Sequence, residues 1–239
     1  MVQVSFEYLE RVSQPSTDKY TALGELRERI EVCVKCPQLV FSRKLYPYGR
    51  PTCGYGNPNS PLFFIGEAPG MYGCGTTGIP FTLDRSGEFF KKILKEVLGM
   101  THEDIWITNI VKCCPKDNRT PEPEERNNCT PFLVEELKIV KPFVIIPMGM
   151  SATKLFFPNL EEFSRVNARE YYLPSDMPKI GGTQWAEIAP HKAFLFPIWH
   201  PAYIIRDPGK TNRWKHCFKA INNLMTLIMG NYDNQRLRA

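Results

Sequence analysis

The segment PLFFIGEAPG, residues 61–70, joins a short apolar run to a stretch of glycine, glutamate and proline. The apolar run, Leu62–Ile65, predicts a short buried strand. The residues from Gly66 to Arg85 are rich in glycine and predict a long loop after that strand. A buried strand that leads into a polar loop indicates one unit of an α/β fold, and the rest of the chain repeats this pattern.

Three further apolar runs follow the first strand, and segments with helical periodicity separate them. The additional strands are predicted at 105–111, 143–147 and 194–198. Helices are predicted at 19–32, 86–98, 124–140, 150–157 and 212–229, with Ser86 as the cap of the second helix. Loops are predicted at 37–61 and 158–192 and directly after His200. Alternating strands and helices predict a three-layer α/β/α sandwich with a short, mostly parallel central sheet of about four strands.

The composition is that of an ordinary globular protein of 239 residues with a formal net charge of +5. No apolar run is long enough to span a bilayer. The first twenty residues lack the basic start and apolar stretch of a secretory signal. We therefore expect a cytoplasmic protein of prokaryotic or viral-like type, monomeric and without a membrane partner. The positive charge is compatible with a nucleic-acid partner but does not establish one.

Eight cysteines in an intracellular chain indicate metal or redox chemistry rather than disulfides. Cys33 and Cys36 form a C-x-x-C pair, and Cys113 with Cys129 is the pair best placed to complete a four-thiolate site. Such a site suits zinc and an iron–sulfur cluster equally well. Cys114 competes with Cys113 as the ligand, and Cys53 is a reserve candidate. A redox dithiol and incidental core cysteines are the alternatives.

Three polar residues fall where the predicted strands end. Glu67 follows the first strand, Asn109 lies late in the second, and His200 follows the fourth. Ligands of open α/β sheets bind beyond the carboxyl ends of the strands. The sequence therefore predicts one pocket at which a carboxylate, an amide and an imidazole converge.

Three ordered motifs resemble the family 4 uracil-DNA glycosylases. These are YGNPNSPLFFIGEAPG at 55–70, the segment from TNIVKC to the cysteine at 108–129, and WHPAYIIRDP at 199–208. The resemblance covers roughly residues 33–229 and treats residues 1–30 as an N-terminal extension of a single domain at 31–239. It implies a DNA glycosylase that hydrolyses the N-glycosidic bond of a flipped-out uracil or other damaged base and leaves an abasic site.

The resemblance also implies a [4Fe–4S] cluster. The residues that match its ligands are Cys33, Cys36, Cys113 and Cys129. In the family the cluster is taken to be structural, and we expect it to hold the loops at 37–61 and 115–123 near DNA.

The loop MYGCGTTGIPFTLDRSG at 71–87 departs from the family 4 pattern, which continues with acidic residues. It is similar to the corresponding loop of family 5 enzymes, which accept a wider set of damaged bases. The alternatives are therefore the same reaction on a bulkier modified pyrimidine or a deaminated purine, a non-catalytic metal-bearing DNA-binding module, and a thiol oxidoreductase.

The resemblance and the chemistry of base release together suggest a role for each site residue. Glu67 orients water or stabilises the sugar cation, and His200 stabilises the negative charge that develops on the base. Asn109 reads the base edge and Phe81 stacks on the base. The remaining residues predicted to contact the base are Gly66, Ala68 and Tyr72.

A second group of residues is predicted to hold the DNA. Tyr203, Ile204 and Ile205 are expected to fill the gap that the flipped base leaves. Cations after His200 are expected to pair with phosphates, namely Arg206, Lys210, Arg213 and Lys215. Ser86 and Gly87, at a predicted helix N-terminus, are expected to bind another phosphate.

Overall fold

Six strands form one sheet in the computed structural model, which describes residues 17–169, 171–172 and 193–236. The strands are β1 (Tyr55–Gly56), β2 (Leu62–Gly66), β3 (Trp106–Asn109), β4 (Val144–Pro147), β5 (Tyr171–Tyr172) and β6 (Phe194–Leu195). Their spatial order is β1-β3-β2-β4-β6-β5. The four central strands are parallel, whereas β1 and β5 are antiparallel edge strands. The predicted parallel sheet is confirmed, with two short edge strands added.

Eight α-helices surround this sheet in the part of the chain that the structure describes. They are α1 (Thr17–Glu31), α2 (Pro37–Ser42), α3 (Cys74–Thr77), α4 (Arg85–Leu98), α5 (Pro123–Val140), α6 (Gly149–Lys154), α7 (Pro201–Arg206) and α8 (Thr211–Arg236). None of the described helices is long and apolar enough to cross a membrane.

Side chains of the central strand alternate between two hydrophobic clusters, as the period of a β-strand requires. Phe63 and Ile65 pack in one cluster with residues of α1 and α5, while Leu62 and Phe64 pack in the other with residues of α4 and α8. A core therefore lies on each face of the sheet. This arrangement is the predicted three-layer α/β/α sandwich.

The helix α1 packs into the first cluster through Leu23, Leu26 and Ile30, all of them buried. Lys19 adds a hydrogen bond from its ammonium group to the carbonyl oxygen of Val140, at the end of α5, with a distance of 2.8 Å. The described part of residues 1–30 is thus packed into the core. The division into an extension and a domain at residue 30 stays a prediction.

Several element boundaries differ from the sequence-based ones. Strand β3 ends at Asn109, although the next two amides still bond to the neighbouring segment. The Ile110 N–H donates to the carbonyl of Gly66, the last residue of β2, and the Val111 N–H donates to that of Glu67, both at 3.0 Å. Strand β6 ends at Leu195, although the Phe196 N–H still donates to the Ile145 carbonyl at 2.9 Å and an isolated bridge joins Met148 to Ile198. The predicted irregular stretch at 158–192 contains β5, and residues 173–192 lie outside the described ones.

Two segments predicted as loops are helical. Helix α2 begins at Pro37 and helix α7 begins at Pro201, each with proline in the first turn. Proline is well suited to that position because its fixed φ is helical and its missing N–H would have had no helical partner. The segment after His200 is consequently a short helix.

The cap of α4 is Asp84 rather than the predicted Ser86. The Asp84 carboxylate accepts a hydrogen bond from the Gly87 N–H at 2.7 Å, and it also accepts one from the Ser86 hydroxyl at 2.6 Å. An aspartate and a serine two residues apart are both good caps, so the sequence alone did not distinguish them.

A fully buried ion pair joins the end of β3 to α5. The Lys112 ammonium lies 3.0 Å from the Glu136 carboxylate, and it also donates to the Thr108 hydroxyl and to the Asn109 carbonyl, at 2.8 and 2.9 Å. The carboxylate accepts a further bond from the Gly54 N–H at 3.0 Å. Each charge depends on the other because neither side chain reaches solvent.

We expect Lys112→Met to lower the free energy of unfolding by about 3–5 kcal/mol, because it leaves the Glu136 charge buried without its partner. Urea denaturation at neutral pH measures the loss. The matched double variant Lys112→Met/Glu136→Gln removes the uncompensated charge and should recover much of the stability. A single variant that unfolds at the wild-type midpoint would contradict this account.

Candidate active site

The floor of the site is Gly66, the last residue of β2, which is paired with Asn109, the last residue of β3. A Cβ atom at Gly66 would lie 2.3 Å from the Asn109 side-chain oxygen and 3.1 Å from the Phe81 ring. No other residue fits there without displacing one of them. The sheet register therefore places the Asn109 amide and the Phe81 ring together above the strand ends, as predicted.

Phe81 is held in an uncommon backbone conformation, with φ of 55°. Its ring packs between Phe90 and His200, with centroid distances of 5.3 and 5.5 Å. The backbone of Phe81 also lies against Gly87, where a Cβ atom would come within 2.4 Å of the Phe81 carbonyl oxygen. The start of α4 thus fixes Phe81 and leaves its ring beside the imidazole.

His200 is the N-cap of α7. Its Nδ1 atom accepts a hydrogen bond from the Ala202 N–H at 3.2 Å, so a neutral ring carries its proton on Nε2. Burial is the main reason why the pKa of His200 is lowered to about 4, with Arg206 lowering it further and Asp84 opposing the shift. At neutral pH the side chain is therefore an uncharged Nε2–H donor.

Gly149, the first residue of α6, lies just after β4 and packs against His200. Its φ is +84°, and its N–H donates to the Ile198 carbonyl at 2.7 Å. A Cβ atom at this position would lie 3.1 Å from the Cβ atom of His200. The positive φ and the close approach both favour glycine here.

The Glu67 carboxylate lies just beyond β2 and is about one-third exposed. Its Oε1 atom accepts a hydrogen bond of 2.5 Å from the Ser151 hydroxyl on α6 and lies 4.0 Å from the Arg126 guanidinium on α5. The Glu67 carbonyl accepts from the Val111 N–H at 3.0 Å, which fixes the backbone. Ser151 and Arg126 were missed by the sequence analysis because both reach Glu67 only through the tertiary fold.

We expect Ser151→Ala to slow base release about tenfold, because a hydrogen bond to a charged group is worth more than about 1 kcal/mol. Single-turnover cleavage of a uracil-containing oligonucleotide measures the effect, and DNA binding should be unchanged. Ser151→Thr keeps the hydroxyl and should restore most of the rate. Ser164→Ala, at an exposed serine elsewhere, is the control, and equal rates for the two alanine variants would refute a role for Ser151.

The other two residues predicted to contact the base, Ala68 and Tyr72, differ in how far they are buried. Ala68 packs partly buried against the cluster on the face of the sheet opposite Phe81. Tyr72 is exposed in the loop before α3. That loop is tied to the segment after β3 by a bond of 2.8 Å from the Met71 N–H to the Asn118 side chain. Contacts of Ala68 and Tyr72 with a base stay predictions.

The predicted DNA contacts around α7 need one correction. Ile204 is fully buried in the core, so it is not available to fill a gap in DNA. Tyr203 is 37% exposed and bonds through its hydroxyl to the Lys210 ammonium at 2.5 Å. The Arg213 guanidinium lies over the Trp199 ring at 4.9 Å, and Lys215 pairs with Glu96. Arg206 ends α7 beside this group.

The predicted phosphate contact at Ser86 and Gly87 is also not supported. The Asp84 carboxylate already accepts hydrogen bonds from the Ser86 hydroxyl and the Gly87 N–H. A phosphate at this helix end would meet a negative charge.

Three chain segments bring four cysteines to one side of the sheet. Cys113 and Cys129 are buried in the cluster that contains α1 and α5, and Cys36 packs against it. The Arg43 guanidinium lies 3.4 Å from the Cys113 sulfur and 2.5 Å from the Cys33 carbonyl oxygen. Among the described residues, no three His, Cys, Asp or Glu side chains are arranged as ligands of one metal ion.

The structure distinguishes the competing cysteines. The Cys114 sulfur points to Gly75, 3.1 Å from where a Cβ atom would stand, and so away from Cys113. Cys53 donates instead to the Glu136 carboxylate at 3.3 Å. Burial raises the pKa of the Cys36 thiol. The arrangement favours Cys113 over Cys114 as the ligand.

An α/β/α sandwich with polar side chains at the carboxyl ends of its parallel strands has the usual arrangement of an α/β enzyme, with the ligand site at that edge of the sheet. The chain belongs to the uracil-DNA glycosylase superfamily, because the family model described as "Uracil DNA glycosylase superfamily" matches residues 53–225. The predicted family and class of enzyme are confirmed.

Curated relatives agree with this assignment. The chain is 30% identical over 216 residues to the type-4 uracil-DNA glycosylase of Saccharolobus solfataricus, covering 89% of this chain and 90% of the relative. It is 34% identical over 180 residues to the type-4 enzyme of Thermotoga maritima, covering 75% and 81%. The type-5 uracil-DNA glycosylase of Pyrobaculum aerophilum is 30% identical over 184 residues, covering 62% and 80%.

Proposed function

We propose that the protein removes uracil from DNA by hydrolysing the N-glycosidic bond of a flipped-out nucleotide, leaving an abasic site. The observation that carries this proposal is the convergence of three side chains above Gly66, the end of β2, namely Asn109, Phe81 and His200. Glu67 is the residue that follows Gly66. A base must leave the stack to reach such a pocket. The type-4 relatives that match most of the chain support uracil as the substrate.

Recognition of the base rests on Asn109 and Phe81. The Asn109 amide offers both a donor and an acceptor to the edge of a pyrimidine. Its backbone is fixed by the bond of 2.9 Å that the buried Lys112 ammonium donates to its carbonyl oxygen. The Phe81 ring provides an apolar surface for stacking. A base held this way lies beside the His200 imidazole.

Cleavage builds negative charge on the departing base and positive charge on the sugar. The Nε2–H group of His200 stabilises the first as a hydrogen-bond donor. The lowered pKa of about 4 keeps the ring neutral at pH 7, so there is no imidazolium proton to transfer to the base. The Glu67 carboxylate, oriented by Ser151, stabilises the sugar cation or orients the attacking water. The two groups act on opposite ends of the breaking bond.

The four cysteines are the residues that would hold a [4Fe–4S] cluster. The thiols come from three segments; those of Cys113 and Cys129 are buried and those of Cys33 and Cys36 are partly buried. Arg43 and Asn128 donate to the sulfurs of Cys113 and Cys36 at 3.4 and 3.5 Å, which suits a negatively charged cluster. The bound cluster would supply cross-linking of these segments and no step of the reaction. Arg43 would orient and partly neutralise Cys113, and Asn128 would orient Cys36 by its hydrogen bond.

We expect Cys33→Ser to abolish the visible absorbance of an iron–sulfur protein and to reduce the iron content to background. Cys114→Ser is the matched control and should retain both, because the Cys114 sulfur points away from the site. Absorbance spectra and metal analysis of the purified proteins test this. A colourless wild-type protein with bound zinc, or loss of colour only in Cys114→Ser, would contradict the ligand assignment.

A second candidate substrate is a bulkier modified pyrimidine or a deaminated purine. The observation in its favour is the loop at 71–87 together with the type-5 relative, which matches 62% of this chain. A glycosylase panel with uracil, deaminated purines and modified cytosines, in single- and double-stranded DNA, separates the candidates. Release of uracil well above all other bases is expected. Equal release of several bases would favour the wider specificity, and binding without an abasic product would favour the non-catalytic module.

The protein is proposed to act on DNA as a monomer in the cytoplasm. Two cations of α7 and α8 support contact with a phosphate backbone: Arg206 ends the helix that His200 caps, and Arg213 lies over the ring of Trp199, the residue before His200.

A further inference from the structure

Arg126 places a positive charge beside the carboxylate of the site. Its guanidinium lies 4.0 Å from Glu67 Oε1, and 28% of its side chain is exposed. A separation of 4.0 Å is an ion-pair distance but is too long for a hydrogen bond. Within the part of the chain that the structure describes, no oxygen accepts a hydrogen bond from this guanidinium. Its N–H donors are therefore available to a ligand that enters the site.

The fold holds Arg126 at the edge of the sheet where the site lies. Helix α5 follows β3 along the chain, and the helix that follows a parallel strand begins at the carboxyl end of the sheet. The Arg126 N–H donates to the Glu122 carbonyl at 3.1 Å, and the Thr130 hydroxyl donates to the Arg126 carbonyl at 2.8 Å. The backbone of Arg126 is thus fixed, while its partly exposed side chain can adjust to a ligand.

Other acids on α5 would oppose an anion next to Arg126, so their state matters. Glu125 is buried and already paired with Arg119 at 2.6 Å. Glu122 and Glu124 are exposed at the start of the helix, and the structure pairs Arg126 with neither of them. Solvent and salt screen such exposed charges. The acids of α5 therefore leave the Arg126 charge largely uncompensated.

We infer that Arg126 binds a backbone phosphate next to the flipped nucleotide and so holds the sugar of that nucleotide against Glu67. This inference rests on the proposed function and adds a substrate-binding residue to the same site. Glu67 is proposed to act at the sugar, and the flanking phosphates are esterified to that sugar. A cation 4.0 Å from the carboxylate is consequently within reach of one of them. A guanidinium suits this role because its planar fork binds two phosphate oxygens at once.

The same contact changes the charge that Glu67 presents. In the free protein the guanidinium offsets part of the negative charge of the carboxylate, although an ion pair between partly exposed groups is weak. A phosphate competes for the guanidinium through short, charge-assisted hydrogen bonds. Binding of DNA thereby leaves the Glu67 charge directed at the sugar, where cleavage builds positive charge.

The test compares Arg126→Gln with the wild type on uracil-containing duplexes in which one phosphate at a time is replaced by an uncharged methylphosphonate. In the wild type, a methylphosphonate next to the uracil should slow single-turnover release about tenfold, the usual scale for a hydrogen bond to a charged group. Arg126→Gln should lose about as much on natural DNA. The same methylphosphonate should then slow this variant by less than about twofold, because the partner of the phosphate is already gone.

Two further measurements separate a phosphate contact from a structural role. Binding to a duplex with an uncleavable tetrahydrofuran abasic-site analogue should depend less steeply on salt in Arg126→Gln. The slope of the logarithm of Kd against that of the salt concentration should fall by about one, the value for one phosphate contact. Arg126→Lys keeps the charge and should recover most of the rate and of the slope. Arg165→Gln, at an exposed arginine paired with Glu162, is the matched control and should behave as the wild type.

Wild-type rates in Arg126→Gln would overturn the inference. It would also be overturned if every methylphosphonate slowed the variant as much as the wild type while the salt dependence of binding stayed unchanged, because Arg126 would then act only on Glu67 or only in the fold. A wild-type protein that releases no uracil from natural DNA would instead refute the proposed function itself, and the inference with it.

Discussion

Replacing Glu67 by glutamine is expected to reduce the single-turnover rate of uracil release by about 10²–10⁴-fold. Glutamine keeps the shape of the side chain and can still accept the hydrogen bond from Ser151. It loses the negative charge that, as we propose, stabilises the sugar cation or orients the water. The loss should therefore appear in the chemical step, while the affinity for uracil-containing DNA stays within a few-fold of the wild type.

The control for this variant is Glu162→Gln, at an exposed glutamate paired with Arg165 at 3.3 Å on a turn after α6. It makes the same chemical change at a distance from the strand ends and should cleave at the wild-type rate. If Glu67→Gln also cleaved at that rate, Glu67 would have no part in catalysis.

Removing the imidazole of His200 is expected to slow base release by about 10²–10³-fold, the usual cost of losing one donor to a developing anion. His200→Ala also removes the cap of α7, so His200→Asn is the better-matched variant, because asparagine is a good N-cap. Asparagine should preserve the melting temperature but is too short to replace the Nε2–H group. His216→Ala, at an exposed histidine of α8, should cleave normally. Full activity in His200→Asn would contradict the assignment.

The lowered pKa of His200 predicts how its protonation and the stability of the folded protein depend on pH. The pKa of His200 is about 4 rather than the ordinary 6.5, chiefly because of burial. The neutral ring therefore persists as the pH falls through 6.5, and protonation of His200 becomes significant only about one unit above its pKa, near pH 5. Because the unfolded chain binds this proton more tightly, the shift also makes the folded protein lose stability as the pH falls from 6.5 towards 4.

An NMR titration of the histidine side chains in the free protein measures this value. The signal that disappears in His200→Asn should titrate with a midpoint near 4. A midpoint near 6.5 would mean that the imidazole is solvated, and the proposed neutral donor would then be wrong.

The sheet and the three polar groups of the site were predictable from the sequence for one physical reason. Strands that alternate with helices form a parallel sheet, and parallel strands place their carboxyl ends along one edge. This rule predicts that Glu67 and Asn109 lie close together, because the strands that precede or carry them are neighbours. The same rule places His200 at this edge of the sheet, because it follows β6, which is separated from β2 only by β4.

Other features depend on tertiary contacts that no local pattern encodes. Ser151 and Arg126 meet Glu67 across more than fifty residues of sequence. The burial of Ile204 follows from the helix that Pro201 starts, which the sequence analysis took for a loop. Cys113 and Cys114 are neighbours with identical side chains, so only the direction in which each sulfur points separates them.

The most direct test of the central claim is a crystal structure of the slow Glu67→Gln variant bound to a duplex that contains one uracil. The account predicts an extruded uracil stacked on Phe81, with its edge bonded to the Asn109 amide and one carbonyl oxygen within hydrogen-bond distance of His200 Nε2. A uracil that remains in the helix, or a base bound away from these three side chains, would contradict it.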